Sequence, residues 1–460
     1  MTDRERAPRP DPWAPYTPGA KVPWDLWRVV HLRRRAGFAA TWQEIQRDLK
    51  VGPKSCIDRL LQGRARSEGV PDDFVAVAAK LGRLAVEAGD LGRLKASWIY
   101  RMLFGPDPLT ERLTLMWHNH FATSAGKVGT AVFRQNEVLR ESARAPFGDL
   151  LGRVVRDPAL LLYLDAQANR KGTPNENLGR ELMELFTLGI GNYTERDVKE
   201  AARALTGWTV DQGRFKEDPA RHDDGEKVLL GRRGRWKGDD LVKMLLDHPA
   251  TAERLAWRIC DLLMGEGAVD ANALRALAGG LRQRRLDVGW AVETVLRSEA
   301  FFAEANLGTR IVGPVEYVIG AARALELFDP SPSTLILAEA TANLGQDLFH
   351  PPNVGGWPGG RSWLGTRAVI GRHNYAVGLL DGVTVGLPRP VDVLALARRH
   401  RRGGSLADVV TFHAELFLGA APGDWRDRIL ATLGPKPALT ADNARRAVAL
   451  VLASPEAQLG

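Results

Sequence analysis

Residues 174–194 read PNENLGRELMELFTLGIGNYT, and this stretch decides the class of fold. Leu178, Leu182 and Leu185 recur at the spacing of three and four residues that places side chains on one face of an α-helix. The residues between them are mostly polar. The stretch therefore predicts an amphipathic helix with one face in a hydrophobic core.

The ends of this helix are also marked in the sequence. Thr173 fits the N-cap and Glu176 fits the third helical position, so that the two predict a capping box. Pro174 fits the first helical position, where its missing N–H costs nothing. Gly189 fits the position just beyond the helix, where a left-handed backbone favours glycine. We expect a helix over residues 174–188.

The same periodicity extends over most of the chain. It predicts a helix that is opened by a capping box of Thr41 and Glu44. It also predicts a long helical region over 74–104, broken into two helices near Gly89 or Gly92, and further helices towards the C-terminus.

Residues 208–236 differ from the rest. Short β-favouring pieces at 208–210, 214–216 and 227–230 surround Asp224-Gly225, a pair typical of hairpin turns. We expect one small ribbon of two or three strands here. The predicted fold class is all-α: a mainly helical, multi-helix globular protein with a small β-ribbon near residues 208–236.

The positions of proline and glycine predict that the chain is divided into three parts. Residues 1–23 contain six prolines after residue 7, which predicts an extended arm. Residues 24–382 are predicted to form the main helical domain, which carries the central motifs. A linker from Gly382 to Pro390 then precedes a C-terminal helical subdomain over 391–460.

The totals exclude several classes of protein. The 460 residues contain no apolar run of roughly 18, so we expect a soluble protein without a membrane span. Cys56 and Cys260 are too few for a disulfide framework or a cysteine-based zinc site and are expected to be buried. The net charge of +8 is spread along the chain, which predicts no nucleic-acid partner. No secretory signal is seen, which predicts a cytoplasmic location.

The run Trp117-His118-Asn119-His120-Phe121 is the first candidate site. Two histidines suggest a metal, but residues two apart on a helix point about 200° apart, whereas ligand pairs need a spacing of three or four. The two rings could converge only where the helix ends. The structural alternative is that His120 is a hydrogen-bonded histidine at the edge of the core.

The polar face of the helix at 174–188 is the second candidate. Asn177, Glu181 and Glu184 follow one another at i, i+4 and i+7, with Arg180 beside them. Two carboxylates three residues apart repel each other unless water, arginine or a metal separates them. The face is therefore either an ordinary solvated surface or a carboxylate shelf for a metal ion.

His222 and Asp223, before Asp224-Gly225, are the third candidate. A histidine and an aspartate on a tight turn suit metal ligation or general-base chemistry, and they equally suit an ordinary turn.

A loop rich in glycine, proline and tryptophan, residues 345–365, is the fourth candidate. Its Trp357 and Trp363, with the amides of Gln346 and Asn353, are typical of a platform on which sugars stack. They are equally typical of a packed loop that covers the core.

These motifs together resemble the bacterial domain-of-unknown-function 1800 family. The resemblance runs from about residue 28 to Glu456. It rests on the following motifs: WHNHFATS (117–124), YLD (163–165), PNENLGRELMELFTLGIGNYT (174–194), EAARALTGW (200–208), HDDGEK (222–227) and PPNVGGWPGG (351–360).

The resemblance implies little chemistry, because that family has no established activity. Many relatives begin with export signals, which this chain lacks. Relatives are often encoded beside a family similar to sulfatases and alkaline phosphatases. The resemblance therefore implies a glycan or another anionic polymer as ligand, and a sulfatase- or phosphatase-like protein as partner.

Two functions remain open, and the sequence does not decide whether the protein is an enzyme. The best hypothesis is a metal-assisted hydrolase acting on a glycan, a sulfoester or a phosphoester. A divalent metal ion would be held by a subset of one set of residues: His118, His120, Glu181, Glu184, His222 and Asp223. The residues expected to act on the bond are His120, Glu181, His222 and Asp223.

The alternative is a non-catalytic scaffold that binds a glycan or a partner. Tryptophan rings would supply its contact surface: Trp117, Trp208, Trp357 and Trp363. Polar side chains would bind substrate beside them: Asn175, Asn177, Arg180, Gln346 and Asn353. In both cases we expect the central motifs to converge on one cleft.

Overall fold

The fold is mainly helical, as the periodicity predicted. The structure is a computed structural model, and it describes residues 11–66, 68–420 and 424–460. The helices within this part of the chain have the following bounds: α1 Leu26–Arg35, α2 Trp42–Leu61, α3 Phe74–Glu87, α4 Leu91–Phe104, α5 Pro108–His120, α6 Ala125–Val128, α7 Val132–Glu141, α8 Phe147–Val154, α9 Pro158–Tyr163, α10 Asn177–Glu181, α11 Glu195–Ala204, α12 Gly238–Asp247, α13 Pro249–Leu263, α14 Ala271–Gln283, α15 Val288–Arg297, α16 Glu299–Phe302, α17 Pro314–Ala324, α18 Thr334–Asn343, α19 Thr366–Asp381, α20 Val393–Arg399, α21 Leu406–Leu418, α22 Trp425–Thr432 and α23 Ala441–Ala453.

Several predicted helix ends are confirmed. Thr41 and Glu44 form the reciprocal capping box that opens α2. The break within 74–104 falls at Gly89, whose φ of +63° belongs to the left-handed region. None of the helices in the described ranges is long and apolar enough to cross a membrane.

The helix in the stretch 174–194 begins later than predicted. It starts at Asn177, and the predicted capping box is wrong, because the Glu176 carboxylate pairs with Arg180 instead of turning back to Thr173. After α10 the chain continues as a π-helical segment, Leu182–Thr187, and it ends at the predicted Gly189, where φ is +79°. A π-helix leaves some carbonyls without their usual partner, and they become acceptors for other side chains.

The predicted ribbon is two separate hairpins. Strand β1 (Trp208–Asp211) pairs with β2 (Arg214–Glu217), and β3 (Lys227–Leu229) pairs with β4 (Arg232–Gly234), both antiparallel. The turn prediction was wrong, since Asp224-Gly225 lies in the segment between the hairpins.

The turns themselves fall at Gln212-Gly213 and Leu230-Gly231. All four of these residues have a positive φ, which is the backbone that a two-residue hairpin turn requires.

Two hydrophobic cores organise the described residues. The first core joins α1, α4, α17 and α18 to the C-terminal helices, so that Phe412 and Val448 share a core with Phe38. The second core lies among α5, α8, α11, α13 and α15. Helix α5 contributes to both, with Leu115 in the first core and Trp117 in the second.

The predicted division of the chain into parts is not tested by this packing and stays a prediction. Residues 11–23 of the proline-rich arm contain no helix and lie against the second core, where the Trp13 indole donates to the Ala273 carbonyl at 2.9 Å. Residues 1–10 of the arm lie outside the described residues.

Candidate functional site

An open cleft of about 980 Å³ lies where α5, the end of α13, the start of α17 and the loop 355–363 meet. Helix α5 forms one wall through Arg112, Met116 and Asn119, which share one face at i, i+4 and i+7. Helix α13 forms the facing wall. The cleft therefore depends on segments that are far apart in the sequence.

Asn119 ties the tryptophan loop to α5. Its Oδ1 accepts a hydrogen bond from the Trp357 backbone N–H at 2.6 Å. Gly356 makes this approach feasible, since a Cβ at that position would lie 2.1 Å from the same oxygen and its φ is +85°. The contact holds Trp357 against the cleft.

Glu316 at the start of α17 organises the floor. Its carboxylate forms ion pairs with Arg112 and Arg310, and Oε2 accepts from the Gly313 N–H at 2.6 Å. Burial by itself would raise the pKa of Glu316, but Arg112 and Arg310 outweigh it and lower the pKa to about 2. The floor is a buried, charged cluster with two cations around one anion.

The wall from α13 presents a second polar cluster. Trp257, Arg258 and Asp261 lie on one helical face, and Arg254 precedes them by one turn. Trp257 is 38% exposed, and two guanidinium groups lie near its ring, with the Cζ atoms of Arg254 and Arg258 5.4 and 5.3 Å from the ring centroid. An exposed indole flanked by cations is a surface for a ligand with an apolar face and a negative charge.

Arg258 is held in place but not neutralised. Its Nε donates to His120 Nδ1 at 3.3 Å, and the His120 Nε2–H in turn donates to the Phe186 carbonyl of the π-helical segment at 3.1 Å. No carboxylate among the described residues forms an ion pair with Arg258. Burial and the neighbouring Arg254 lower the pKa of Arg258 to about 10. Asp261 opposes this decrease from beyond ion-pair distance, so the cleft contains a positioned cation that no described carboxylate pairs with directly.

The loop 355–363 closes one side. Trp357 is buried and packs on the His118 ring at a centroid distance of 5.5 Å, while Trp363 is half-buried. Both indole N–H groups lack a hydrogen-bond acceptor in the described part of the chain. His118 is fully buried beneath them, and burial lowers its pKa to about 3, so the ring is neutral.

Three residues that the sequence singled out as binding residues reach the cleft: Gln346, Trp357 and Trp363. The Gln346 Oε1 accepts from the Val315 N–H at 3.1 Å, which ties the loop to α17. Asn353 stands nearby in the same loop, and its Oδ1 accepts from the Gly355 N–H at 2.8 Å. Its role in binding stays a prediction.

Trp117 and Trp208 lie in the second core instead. Trp117 is completely buried, and its indole donates to the Ala143 carbonyl at 2.9 Å. Trp208 is 4% exposed and is covered by the guanidinium of Arg156. In this structure neither ring offers a face to a ligand, because the apolar area of each is already used in packing.

The acidic helix face is largely occupied by contacts with its neighbours. Glu184 accepts from the Tyr193 hydroxyl at 2.6 Å, and Arg180 pairs with Glu176 and Glu195. Glu181 is half-buried, and its pKa is raised by burial and by Glu184. Asn175 and Asn177 take part in backbone hydrogen bonds of the turn that precedes α10, where Asn175 Oδ1 accepts from the Asn177 N–H at 2.9 Å.

His222 and Asp223 are tied to the end of α11. The His222 Nδ1–H donates to the Thr206 carbonyl at 2.9 Å. Asp223 accepts from the Arg203 Nε at 2.7 Å and from the Gly225 N–H at 2.9 Å. These bonds with Arg203 and the backbone lower the pKa of Asp223 to about 2.

The structure does not gather the residues predicted to hold a metal. Within residues 11–66, 68–420 and 424–460, no group of three or more His, Cys, Asp or Glu side chains is arranged to hold a metal ion. His118 and His120 have separate surroundings, since one lies against Trp357 and the other against Phe186. The metal set stays a prediction.

The sequence predicted no role for any of the charged residues that line the cleft: Arg112, Arg258, Asp261, Glu266, Arg310, Glu316 and Arg361. The sequence of α13 did contain one signal, since its spacing places arginine, tryptophan and aspartate on the same helical face. It was overlooked because this segment contains no glycine, proline or histidine motif.

The chain belongs to the family described as "Protein of unknown function (DUF1800)", whose sequence profile matches residues 31–459. The resemblance seen in the motifs is thereby confirmed. A search of curated proteins and a search of solved structures each returned no match.

Proposed function

We propose that the protein binds an acidic glycan in the cleft between α5 and α13. The observation that carries this proposal is Arg258, a cation that is fixed in the cleft wall and has no carboxylate within ion-pair distance in the described chain; the charge of Asp261 acts on it only from farther away. Keeping a partly buried charge uncompensated is costly, and a ligand anion would remove that cost. Arg361, exposed on the loop 355–363, forms no ion pair in the described chain and supplies a second positive charge.

The aromatic rings favour a sugar over a small inorganic anion. Trp257 presents an exposed ring on one wall and the half-buried Trp363 lines the other, where the buried Trp357 contributes an indole N–H without an acceptor among the described residues. Tryptophan combines a large apolar face with a polar edge, which suits the faces and hydroxyls of a pyranose. A cleft of this volume also exceeds what a single sulfate or phosphate requires.

The other expectations from the sequence stay predictions. Metal-assisted hydrolysis requires a metal site, and the described residues do not bring its predicted ligands together. A sulfatase- or phosphatase-like partner would match an acidic glycan chemically, since such enzymes act on anionic groups. The cytoplasmic location is likewise a prediction from the sequence.

The test is binding of two acidic glycans and one neutral glycan to the full chain. Alginate hexasaccharide, chondroitin sulfate hexasaccharide and a dextran oligomer of equal length would be titrated while tryptophan fluorescence and heat are measured. We expect at least one acidic glycan to bind, the dextran to bind more than ten times more weakly, and added salt to weaken binding by screening.

The role of Arg258 in binding is tested with the variant Arg258→Gln. It should weaken binding of the acidic glycan at least tenfold, which corresponds to about 1.4 kcal/mol. The matched control is Arg284→Gln, because Arg284 also lies over a tryptophan, Trp290 at 4.4 Å, but outside the cleft. Equal binding by the wild type and Arg258→Gln, or equal affinity for dextran, contradicts the proposal.

A further inference from the structure

The proposed binding of a glycan gives no role to two acidic residues that line the cleft, Asp261 and Glu266. We propose that the cleft hydrolyses a glycosidic bond of the glycan that it binds, with Asp261 as the general acid and Glu266 as the general base. This inference rests on the proposed function. It needs no metal ligand from the set predicted by the sequence.

The placement of the two carboxylates supports this assignment. Asp261 lies in the last turn of α13 and Glu266 lies in the loop that follows, and both line the cleft. Glu266 reaches across to the tryptophan loop, since its Oε2 lies 3.1 Å from the position of a Cβ at Gly360. The two acids thus belong to the region between Trp257 and the loop 355–363, where the glycan is proposed to lie.

Neither carboxylate is used to hold the fold together. In the described part of the chain, no hydrogen bond or ion pair engages the side chain of Asp261 or of Glu266. Asp261 is half-buried, and carboxylates withdrawn from water are usually paired, as Glu316 is on the floor of the same cleft. The buried Trp357 also has an indole N–H without an acceptor in the same lining. Unused polar groups on both sides of a cavity indicate that a ligand completes them.

The two carboxylates have different surroundings, which is what acid–base catalysis requires. Burial raises the pKa of Asp261, and Glu266 adds to this rise, while Arg258 and Arg310 oppose it. Glu266 is exposed to solvent. Two carboxyl groups whose surroundings differ in this way form the kind of pair used in glycosidic hydrolysis.

The reaction balances with water as the only co-reactant. The Asp261 carboxyl donates its proton to the glycosidic oxygen as the bond from that oxygen to the anomeric carbon breaks. Water attacks the anomeric carbon, and Glu266 takes the proton that this water loses. Transfer of a proton from Glu266 back to Asp261 through solvent restores both groups. Nothing is oxidised or reduced.

The experiment measures new reducing ends and binding on the same samples. Full-length protein would be incubated with alginate and with chondroitin sulfate, with and without EDTA. Wild type should release reducing ends from a polymer that it binds, equally in both conditions. Asp261→Asn should lower the rate at least a hundredfold, within the range expected for loss of a general acid, while affinity changes less than twofold.

Controls separate catalysis from folding. Glu253→Gln removes an exposed carboxylate of the same helix and should leave the rate unchanged. In the wild type the rate should fall as pH rises through the pKa of Asp261, because only the protonated acid can donate. Glu266→Gln should also lower the rate, because no carboxylate then accepts the proton that the attacking water loses.

The outcomes distinguish this inference from the proposed function. A glycan that binds and is not cleaved overturns the inference and leaves the binding proposal standing. Cleavage that EDTA abolishes also overturns it and favours the metal-assisted hydrolase. If no acidic glycan binds, the proposed function itself fails.

Discussion

The cleft and the motif cluster, which we define as residues 174–194 and 222–227, are both rich in charged and polar side chains, but they use them differently. In the motif cluster, Asp223 is bonded to Arg203 and Glu184 to Tyr193. In the cleft, Arg258 and Asp261 form no ion pair with any other described residue. The motif cluster is almost saturated by its own contacts, whereas the cleft keeps polar groups available.

This difference shows what an unusual sequence motif can mean. A polar side chain can be required because it holds loops and helix ends together, as His222 does with Thr206. A polar side chain that the fold leaves unpaired has no such explanation. The proposed binding site therefore rests on unpaired groups and not on the density of motifs.

The link between the two regions is the π-helical segment. Its Phe186 carbonyl accepts from His120, and its Leu185 carbonyl accepts from Arg254 at 3.2 Å. His120 in turn orients Arg258. The motif cluster therefore holds Arg254 and, through His120, Arg258 of the cleft wall by hydrogen bonds. On this reading His120 is a positioning residue, and its predicted catalytic role stays a prediction.

Removing the carboxylate of the cleft floor should have the largest effect. Glu316→Gln leaves Arg112 and Arg310 buried without their anion, which should lower the free energy of unfolding by about 3–5 kcal/mol. Urea denaturation at pH 7 measures this. Glycan binding should weaken as well, since Arg310 lines the cleft.

The pH dependence provides the check on Glu316. Its pKa is lowered in the folded state to about 2, so its contribution is complete above the pKa of the unfolded chain and is lost as pH falls through that range. The difference between wild type and Glu316→Gln should therefore shrink below about pH 4, the range in which an unfolded glutamate titrates. A difference that is independent of pH contradicts the assignment.

Breaking a pair in the motif cluster should have an intermediate effect, on stability alone. Asp223→Asn weakens the contacts with Arg203 and with the loop and should cost about 1–2 kcal/mol, near the range for hydrogen bonds to charged groups. Glycan affinity should not change. Asp224→Asn is the matched control, because the Asp224 side chain is 70% exposed and its Oδ1 lies 4.0 Å from His222 Nε2.

A loss of glycan affinity in Asp223→Asn would break the comparison, since it would place the motif cluster in the binding site. The stability cost should also disappear at low pH. The pKa of Asp223 is lowered to about 2, so the wild-type advantage is present above the unfolded pKa and is lost as pH falls.

The smallest effect is expected at Glu181. Its raised pKa means that the ionised carboxylate opposes folding above that pKa, so Glu181→Gln should raise the free energy of unfolding by about 0.5 kcal/mol, a value kept small by solvent screening. Thermal melts at pH 7 and pH 4, with and without EDTA, measure it. The gain should disappear at pH 4, where the wild-type carboxyl takes up its proton.

The metal hypothesis makes the opposite prediction for Glu181. If this residue bound a metal, EDTA would destabilise the wild type and leave Glu181→Gln unchanged. That result would identify the helix face with Glu181 and Glu184 as a metal site. The motif cluster, and not only the cleft, would then have polar groups available for a ligand.

Local features were predictable from the sequence because their causes are local. Helix periodicity, the capping box of Thr41 and Glu44 and the stop at Gly189 each depend on residues within a few positions of one another. The family was also identified from local motifs. Two local predictions were wrong: the helix starts late, at Asn177, and Asp224-Gly225 is not a hairpin turn. In both places more than one nearby residue could form the helix cap or the turn.

The sequence could not show which of the predicted residues line the cleft, because that depends on the tertiary structure. Gln346 and Trp357 were predicted and do line the cleft, but Trp117 and Trp208, which have the same chemistry, are buried in the second core. Burial is decided by packing against distant helices, and periodicity alone cannot distinguish an aromatic ring in the core from one beside a cleft.

The pairing of charges was decided over the longest distances in the sequence. Glu316 pairs with Arg112, more than two hundred positions earlier, whereas no acid of the described ranges lies within ion-pair distance of Arg258. The sequence by itself determined the helices, their ends and the family. Only the tertiary structure decided which charges are paired and which are not, because ion pairs form between groups that folding, not sequence proximity, brings within reach.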